Sequence, residues 1–447
     1  MDNQTMTKGN IWKQLIIFSI PLLIGNIFQQ LYNTVDSVIV GNYVGKEALA
    51  AVGSSAMIIN MLVGFFMGLS TGASVVISQY FGAKDSKRLH HSVHTAIAMT
   101  FYLGIVLTVL GIVLSPTLLR FMKTPEDVMP NASLYLKIYF AGIIGLMVYN
   151  MGSAILRAIG DSKRPLYFLC VSSVINIVLD LLFVIQFNMG VAGVAWATLI
   201  AQFASAILVI YVLARSKEDY RLILKDIKIH KTILKKMITI GFPSGLQQAI
   251  TAFSNIFVNS YINIFGSAAM AGYSSYIKID TFVVLPLQSI ALASTTFVGQ
   301  NLGAKKVERA KEGTRISLII SLISTVTLSG LLYLFGMNLL KVFSQDPEVL
   351  HYGNLFLKIF SPFYFAICFN QIYAGALRGA GVANPPMVIM IGCFVVFRQI
   401  FLFFGTKIFN TLEFVAVSYP VAWVLCAILM FAYYKLGNWE NAKKVVD

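Results

Sequence analysis

Gln79-Tyr80-Phe81-Gly82-Ala83-Lys84 and Gln300-Asn301-Leu302-Gly303-Ala304-Lys305 carry Gln, Gly, Ala and Lys at matching places, 221 positions apart. The same offset relates Leu156, Arg157, Gly160 and Pro165 to Leu377, Arg378, Gly381 and Pro386. It also relates Leu134, Leu136, Lys137 and Ile138 to Leu355, Leu357, Lys358 and Ile359. The chain is therefore a duplication of one long unit, far longer than the roughly 20 to 50 residues of a soluble solenoid repeat.

The unit belongs in a bilayer. Of 447 residues, 57% are hydrophobic and 12% charged, and the mean hydropathy is +0.76. A hydrocarbon core of about 30 Å takes about 20 apolar residues to cross. Runs that meet this lie at 15–40, 49–80, 92–118, 131–156, 166–187 and 191–214, then at 233–265, 268–298, 316–341, 351–377, 386–404 and 414–435. Six crossings per unit return the chain to the side where it began, so both units share one orientation, as in the parallel repeats of secondary transporters. The expected fold is all-α and polytopic, with 12 transmembrane helices in two pseudo-symmetric six-helix bundles. The expected division is a first lobe at 1–214, a basic linker at 215–232 and a second lobe at 233–447.

Charge placement supplies the orientation. About 25 of the 34 Lys and Arg fall in the chain ends and the loops after even-numbered spans, which by the positive-inside rule puts both termini in the cytoplasm. The first span is longer than a signal-peptide core, so no cleaved signal is expected. A net charge of +15 would suggest nucleic acid as partner of a soluble protein; here topology accounts for it. The densest segment, with Lys217, Arg221, Lys225, Lys228, Lys231 and Lys235, reads as a cytoplasmic linker against anionic lipid. Cys170, Cys368, Cys393 and Cys426 stand singly in apolar spans, and His90, His91 and His94 read as a solvated loop end with no carboxylate at metal spacing. With no nucleophile elbow, phosphate loop or catalytic carboxylate pair, an enzyme is not expected, nor is a cofactor, nor a bound metal beyond a possible Na⁺ at Asp36, Asn176, Asp180 and Thr198.

Pro21 and Pro243 sit at the start of the first span of each repeat, and Pro286, Pro362 and Pro420 lie inside spans, where each frees a backbone carbonyl. Ionisable residues within the spans carry more information, because a charge at the bilayer centre costs about 2.5 to 3.5 kcal/mol on insertion scales. Asp36 lies about 22 Å along an outward-running helix counted from Pro21, and Asp180 about as far along another counted from Pro165. Asn176 shares the face of Asp180 one turn before it, and Thr198 on the inward-running sixth span reaches a similar depth. Two carboxyls in one apolar site cannot both stay ionised cheaply, which makes Asp36, Asn176, Asp180 and Thr198 a candidate ion-coupling set. At offset 221 the second repeat has Phe257, Phe397 and Phe401 in place of Asp36, Asn176 and Asp180; a one-residue slip gives Val258, Arg398 and Leu402 instead. The aromatic positions, with Arg398 and Asp280 as the deep charges, are candidate lining for a substrate cavity. Asp280 is expected either to face that cavity or to pair with Arg398 or Lys278.

Taken together, the duplication, the proline at the start of spans one and seven, the two Gln-x-x-Gly-Ala-Lys motifs, Leu-Arg-Ala-x-Gly-Asp at 156–161 and Leu-Arg-Gly-x-Gly at 377–381 resemble the multidrug and toxic compound extrusion (MATE) family over nearly the whole chain. The resemblance implies two lobes related by a pseudo-two-fold axis, a V-shaped central cavity and alternating access driven by inward H⁺ or Na⁺. It implies an antiporter that exports amphipathic, mostly cationic organic compounds across the cell membrane, expected to act as a monomer. Asp36 matches the family's acidic residue on span one. Asn176, Asp180 and Thr198 match a branch with Asn and Asp on span five and Thr on span six. Another branch keeps ion-binding acids on spans seven and ten; here those spans offer Gln247, Gln248, Asn370 and Gln371, with no interior acid. A lipid-linked oligosaccharide flippase of the same superfamily is the alternative. Its pyrophosphate substrate would call for several interior cations, and Arg398 stands nearly alone.

Overall fold

The computed structural model describes residues 5–122 and 124–441, and these form helices joined by short connections. The chain ends at 1–4 and 442–447, expected in the cytoplasm, lie outside the described residues. Twelve helical segments follow one another: α1 (Ile11–Val44), α2 (Lys46–Gly82), α3 (Ser86–Phe121), α4 (Met129–Ala158), α5 (Lys163–Gln186), α6 (Gly190–Arg215), α7 (Lys231–Asn263), α8 (Ser267–Gly303), α9 (Val307–Phe343), α10 (Pro347–Gly379), α11 (Asn384–Gly405) and α12 (Leu412–Leu436). Among the described residues, eleven of them are long and apolar enough to cross a membrane. The twelfth, α7, is diluted by Ser244, Gln247, Gln248, Thr251, Ser254 and Asn255.

The repeated motifs are helix endings. After α2 the amides of Asp85 and Lys84 bond back to the carbonyls of Tyr80 and Phe81, both at 3.1 Å. After α8 those of Lys306 and Lys305 bond to Asn301 and Leu302 at 2.8 and 3.0 Å. Lys84 and Lys305 hold the left-handed position of this Schellman ending at φ 56° and 60°. The second motif does the same for α4 and α10 with glycine in that position, Gly160 at φ 96° and Gly381 at φ 88°. Such endings satisfy carbonyls that the last helical turn leaves unpaired, which is why these residues recur at one offset.

Packing divides the chain into two compact units, one built on Ile20–Ile238, the other on Met6–Ser19 and the chain from Thr239 onward. This differs from the division drawn from sequence at two places. Met6–Ser19 joins the second unit because its backbone is tied there: the Met6 amide donates to Gln300 Oε1 at 2.9 Å, and Asn301 Nδ2 and Arg309 Nη2 donate to the carbonyls of Met6 and Gly9 at 3.1 and 2.8 Å. The first unit in turn keeps the 215–232 linker and the start of α7.

In the first unit α4 is central, packed against α2, α3 and α6, while α5 lies along α6. Small residues let these helices approach closely. α1 and α5 both end in wider π-type turns, Val40–Val44 and Leu181–Gln186, which touch each other; the second starts directly after Asp180. In the second unit α8 packs against α9 and α10 around buried Tyr276, Phe356, Phe360 and Tyr364. α10 is interrupted at Ser361–Phe363, where Pro362 removes a backbone donor.

Gly111 and Gly53 supply a contrast for these contacts. A methyl group at Gly111 would stand 2.2 Å from the Phe140 ring, whereas one at Gly53 would meet nothing within 4 Å. Gly111→Ala should destabilise the protein by about 1 to 3 kcal/mol, and Gly53→Ala should be neutral or stabilise it by up to about 1 kcal/mol. Thermal unfolding in detergent measures both.

Candidate functional site

The four residues singled out on α1, α5 and α6 meet in the first unit. The α5 helix buries Asp180 and Asn176, which are 0% and 1% exposed, and α6 presents Thr198 at 5%. Asp36 on α1 is half-buried, with its Oδ1 fully covered. The carboxyl groups of Asp36 and Asp180 lie within hydrogen-bonding reach of each other. Because a carboxylate only accepts, that bond exists when one of the two carries a proton. With both ionised, both oxygens of Asp180 and Oδ1 of Asp36 have no donor.

Their neighbours are in the same condition. Both amide atoms of Asn176, the Thr198 hydroxyl and the Ser173 hydroxyl are buried without a partner. Each such group costs about 1 to 3 kcal/mol relative to a satisfied one, so their concentration at one place is expensive for a purely structural cluster. Apart from Asn176 Nδ2, these groups and the two carboxyls are hard oxygen ligands, the carboxyls able to carry charge, which suits a proton or a small hard cation. A narrow pocket opens beside them, lined by Gln29, Tyr32, Ser173, Asn176, Thr198 and Gln202 among others.

Several of these residues escaped the sequence reading. Tyr32 and Tyr135 lie within electrostatic reach of both acids, and Tyr139 stacks on Tyr135 at 6.3 Å between ring centroids. Tyr32 was legible in principle, being one turn before Asp36 on the same face. Tyr135 and Tyr139 come from α4, which carries no acid to draw attention to them.

The second unit holds a different arrangement. The hydroxyls of Tyr276 and Tyr364 lie within hydrogen-bonding distance of Asp280 Oδ1, Tyr276 at 3.1 Å, and of each other; with one hydrogen apiece they can make two of these three contacts as donors to an ionised Asp280. Arg398, 3% exposed, donates through Nη2 to Asn255 Oδ1 at 2.7 Å and lies 4.8 Å from the centre of the Tyr419 ring. Lys278 lies over Phe343 at 5.3 Å. Among the described residues, Asp280 forms no ion pair with Arg398 or Lys278. The expectation of such a pair is corrected: tyrosine hydroxyls satisfy the acid, and an asparagine and an aromatic face hold the cation.

The aromatic candidates separate. Phe397 lies 5.9 Å from Phe401, which stacks on Phe414 at 4.8 Å, whereas Phe257 is 49% exposed and meets Phe253 edge-on. Pro21 in α1 and Pro243 in α7 are 222 positions apart, so across these two helices the register is one longer than elsewhere. Asp36 therefore corresponds to Val258, which is fully buried in the core of the second unit, and not to Phe257. Asn176 and Asp180 keep Phe397 and Phe401 as counterparts, because Pro165 and Pro386 are 221 apart.

The removal of one carboxylate has a predictable effect on stability. Asp180→Asn takes away a buried anion without a donor, so it should raise stability by about 1 to 3 kcal/mol. The gain should be larger in alkaline than in acidic solution, because a proton shared between the two acids relieves the same repulsion. Thermal unfolding of both proteins across pH measures it; a loss of stability at alkaline pH would contradict the arrangement.

Comparison with known proteins agrees with this architecture. The MatE family model matches residues 21–182 and 243–404, with the same 222-residue shift between its two matches. The probable multidrug resistance protein YoeA of Bacillus subtilis (strain 168) is 30% identical over 97% of this chain and 95% of its own. The probable multidrug resistance protein YpnP of the same organism is 30% identical over 98% of each. Among solved structures, an outward-facing multidrug resistance MATE family transporter of the MOP superfamily superposes with a TM-score of 0.91 at 24% identity, covering 98% of both chains.

Proposed function

Starting from the fact that the chain belongs to the MatE family of membrane transporters, we propose that it exports amphipathic, mostly cationic organic compounds from the cytoplasm in exchange for H⁺ or Na⁺. The named relatives are multidrug resistance and export proteins, and the family are transporters, not enzymes. The observation that carries the coupling proposal is the contact between the Asp36 and Asp180 carboxyls amid unpartnered Asn176, Thr198 and Ser173.

In the state open to the outside, Asp36 and Asp180 take up an ion. A proton is held between the two carboxyls; Na⁺ is held by the same two with Asn176 Oδ1 and Thr198 Oγ1. Either removes the repulsion between the acids and changes the packing of α1 against α5, since Asp36 is the contribution of α1 to the cluster. The two π-type turns beside the site are where a helix can change its winding at small cost. A compound and an ion need not share atoms: each need only favour a different arrangement of the helices, and by linkage each then weakens the binding of the other.

On the substrate side, the Phe397–Phe401–Phe414 stack offers aromatic faces that attract a lipophilic cation through both apolar contact and the ring quadrupole. Asp280 adds a negative charge, and the charge of Arg398 is engaged by Asn255 and Tyr419. Multivalent anions find no matching set of cations here.

Efflux of an ethidium-like dye from membrane vesicles, driven in turn by an imposed pH gradient and an imposed Na⁺ gradient, tests the proposal and identifies the ion. Wild type should export the dye under one gradient. Asp36→Asn should bring efflux to background and Asp180→Asn should impair it, while Asp280→Asn should do less damage. Full efflux by a folded Asp36→Asn protein would overturn the coupling role.

A further inference from the structure

Four of the five histidines in the chain gather where the start of α3 meets the linker between the two units. The structure corrects the reading of His94 as part of a solvated loop end: it is 1% exposed. The Ile223 amide donates to His94 Nε2 at 2.9 Å, so the neutral ring carries its hydrogen on Nδ1, which donates to the His90 carbonyl at 2.7 Å. Both ring nitrogens are thus in use, one as acceptor and one as donor, a pattern that an imidazolium, with two donors, cannot make. One residue on, Thr95 Oγ1 accepts the His230 amide at 3.2 Å. His94 and Thr95 bond the linker backbone to α3, Ser86 Oγ and His90 reach its acids Asp219 and Asp226, and Tyr220 and Leu222 of the linker are buried at 3% and 2% exposure.

The charged surroundings disfavour a cation on the inner rings. From α3 come Lys87, His90 and His91, and from the linker Lys228 and His230; of the linker acids, Asp226 lies 3.3 Å from His90 Nε2 and Asp219 accepts from Ser86 Oγ at the start of α3. His91 and His230 stack at 3.9 Å between centroids, an arrangement two imidazolium ions would oppose. Burial, then Lys228 and His90, lower the proton affinity of His230. His90, His94 and Asp226 also bring their ligand atoms within 4.8 Å of one another, which is metal spacing. The lone pair of His94 Nε2 is already committed to the Ile223 amide, so a metal would have to displace that bond.

We propose that His94 is the switch of a proton-sensitive latch: its neutral ring fastens the 220–230 linker to α3, and protonation from the cytoplasmic side releases it. A ring that serves only when neutral contributes its full hold above the ordinary imidazole value of about 6.5 and loses it as the pH falls below that value. The released segment is the covalent connection to α7 and the second unit, so internal acidification loosens the tether between the repeats. This inference rests on the contacts of His94 and not on the transport proposal.

Leu224 is 67% exposed on the latched segment and offers a reporter position. A nitroxide on Leu224→Cys, in full-length protein with Cys170→Ser and with chelator in the buffer, should be immobilised at about pH 8 and mobile at about pH 5, on either side of the imidazole value. The change should follow a single proton. His94→Gln keeps an acceptor for the Ile223 amide but does not titrate, so its label should stay immobilised at both pH values. His94→Phe has no acceptor, and its label should be mobile at both. A wild-type signal that does not respond to pH, or a His94→Gln signal that titrates like wild type, would overturn the latch.

Discussion

Two like charges 4 Å apart repel by about 4 kcal/mol even at the effective dielectric of about 20 that suits most protein sites. Asp36 and Asp180 sit within hydrogen-bonding reach inside an apolar bundle, and the acceptors around them lack donors. An evolved core would ordinarily satisfy such groups. α5 lies along α6, and the π-type turn that ends α1 packs against α2, α6 and the matching turn of α5, which ties the two acid-bearing helices to the bundle. Under the coupling proposed above, an ion that relieves the repulsion would act on the helices that bear the acids, α1 and α5.

The two repeats preserve their helix endings and differ in their interior chemistry. The Schellman endings recur with the same hydrogen bonds because backbone carbonyls at a helix end have the same need in both units. The interior has no such common need. In the first unit the deep acids lack donors; in the second, Asp280 receives two tyrosine hydroxyls and Arg398 receives an amide and an aromatic face. The first unit leaves two carboxyls among unpartnered groups, whereas the second gives its deep acid hydroxyl partners and leaves Arg398 Nε and Asn370 Oδ1 without one.

The sequence made the duplication, the helical class and the clustering of Asp36, Asn176, Asp180 and Thr198 legible, because each rests on local signals: repeated caps, apolar run length, and acids retained where they are costly. The tyrosines around those acids were not legible, since a tyrosine in an apolar helix carries no penalty that marks it. For Asp280 a cationic partner was one of two expectations, because opposite charges are the obvious pair in a sequence; its hydroxyl partners come from one turn away on α8 and from α10. The misplacement of Phe257 came from carrying one offset across a helix pair whose prolines show another. His94 was read as solvated because its acceptor role depends on a backbone amide 129 residues distant, and Met6–Ser19 was misassigned for the same kind of reason.

The central claim is that compound and ion compete through the Asp36–Asp180 pair. The most direct measurement is the number of protons released when a lipophilic cation binds the purified protein in weakly buffered, Na⁺-free solution, with the same titration repeated in the Asp36→Asn, Asp180→Asn double variant. The account, with H⁺ as coupling ion, predicts proton release by wild type that varies with pH and is abolished in the double variant while the compound still binds. Equal release by the two proteins would contradict it.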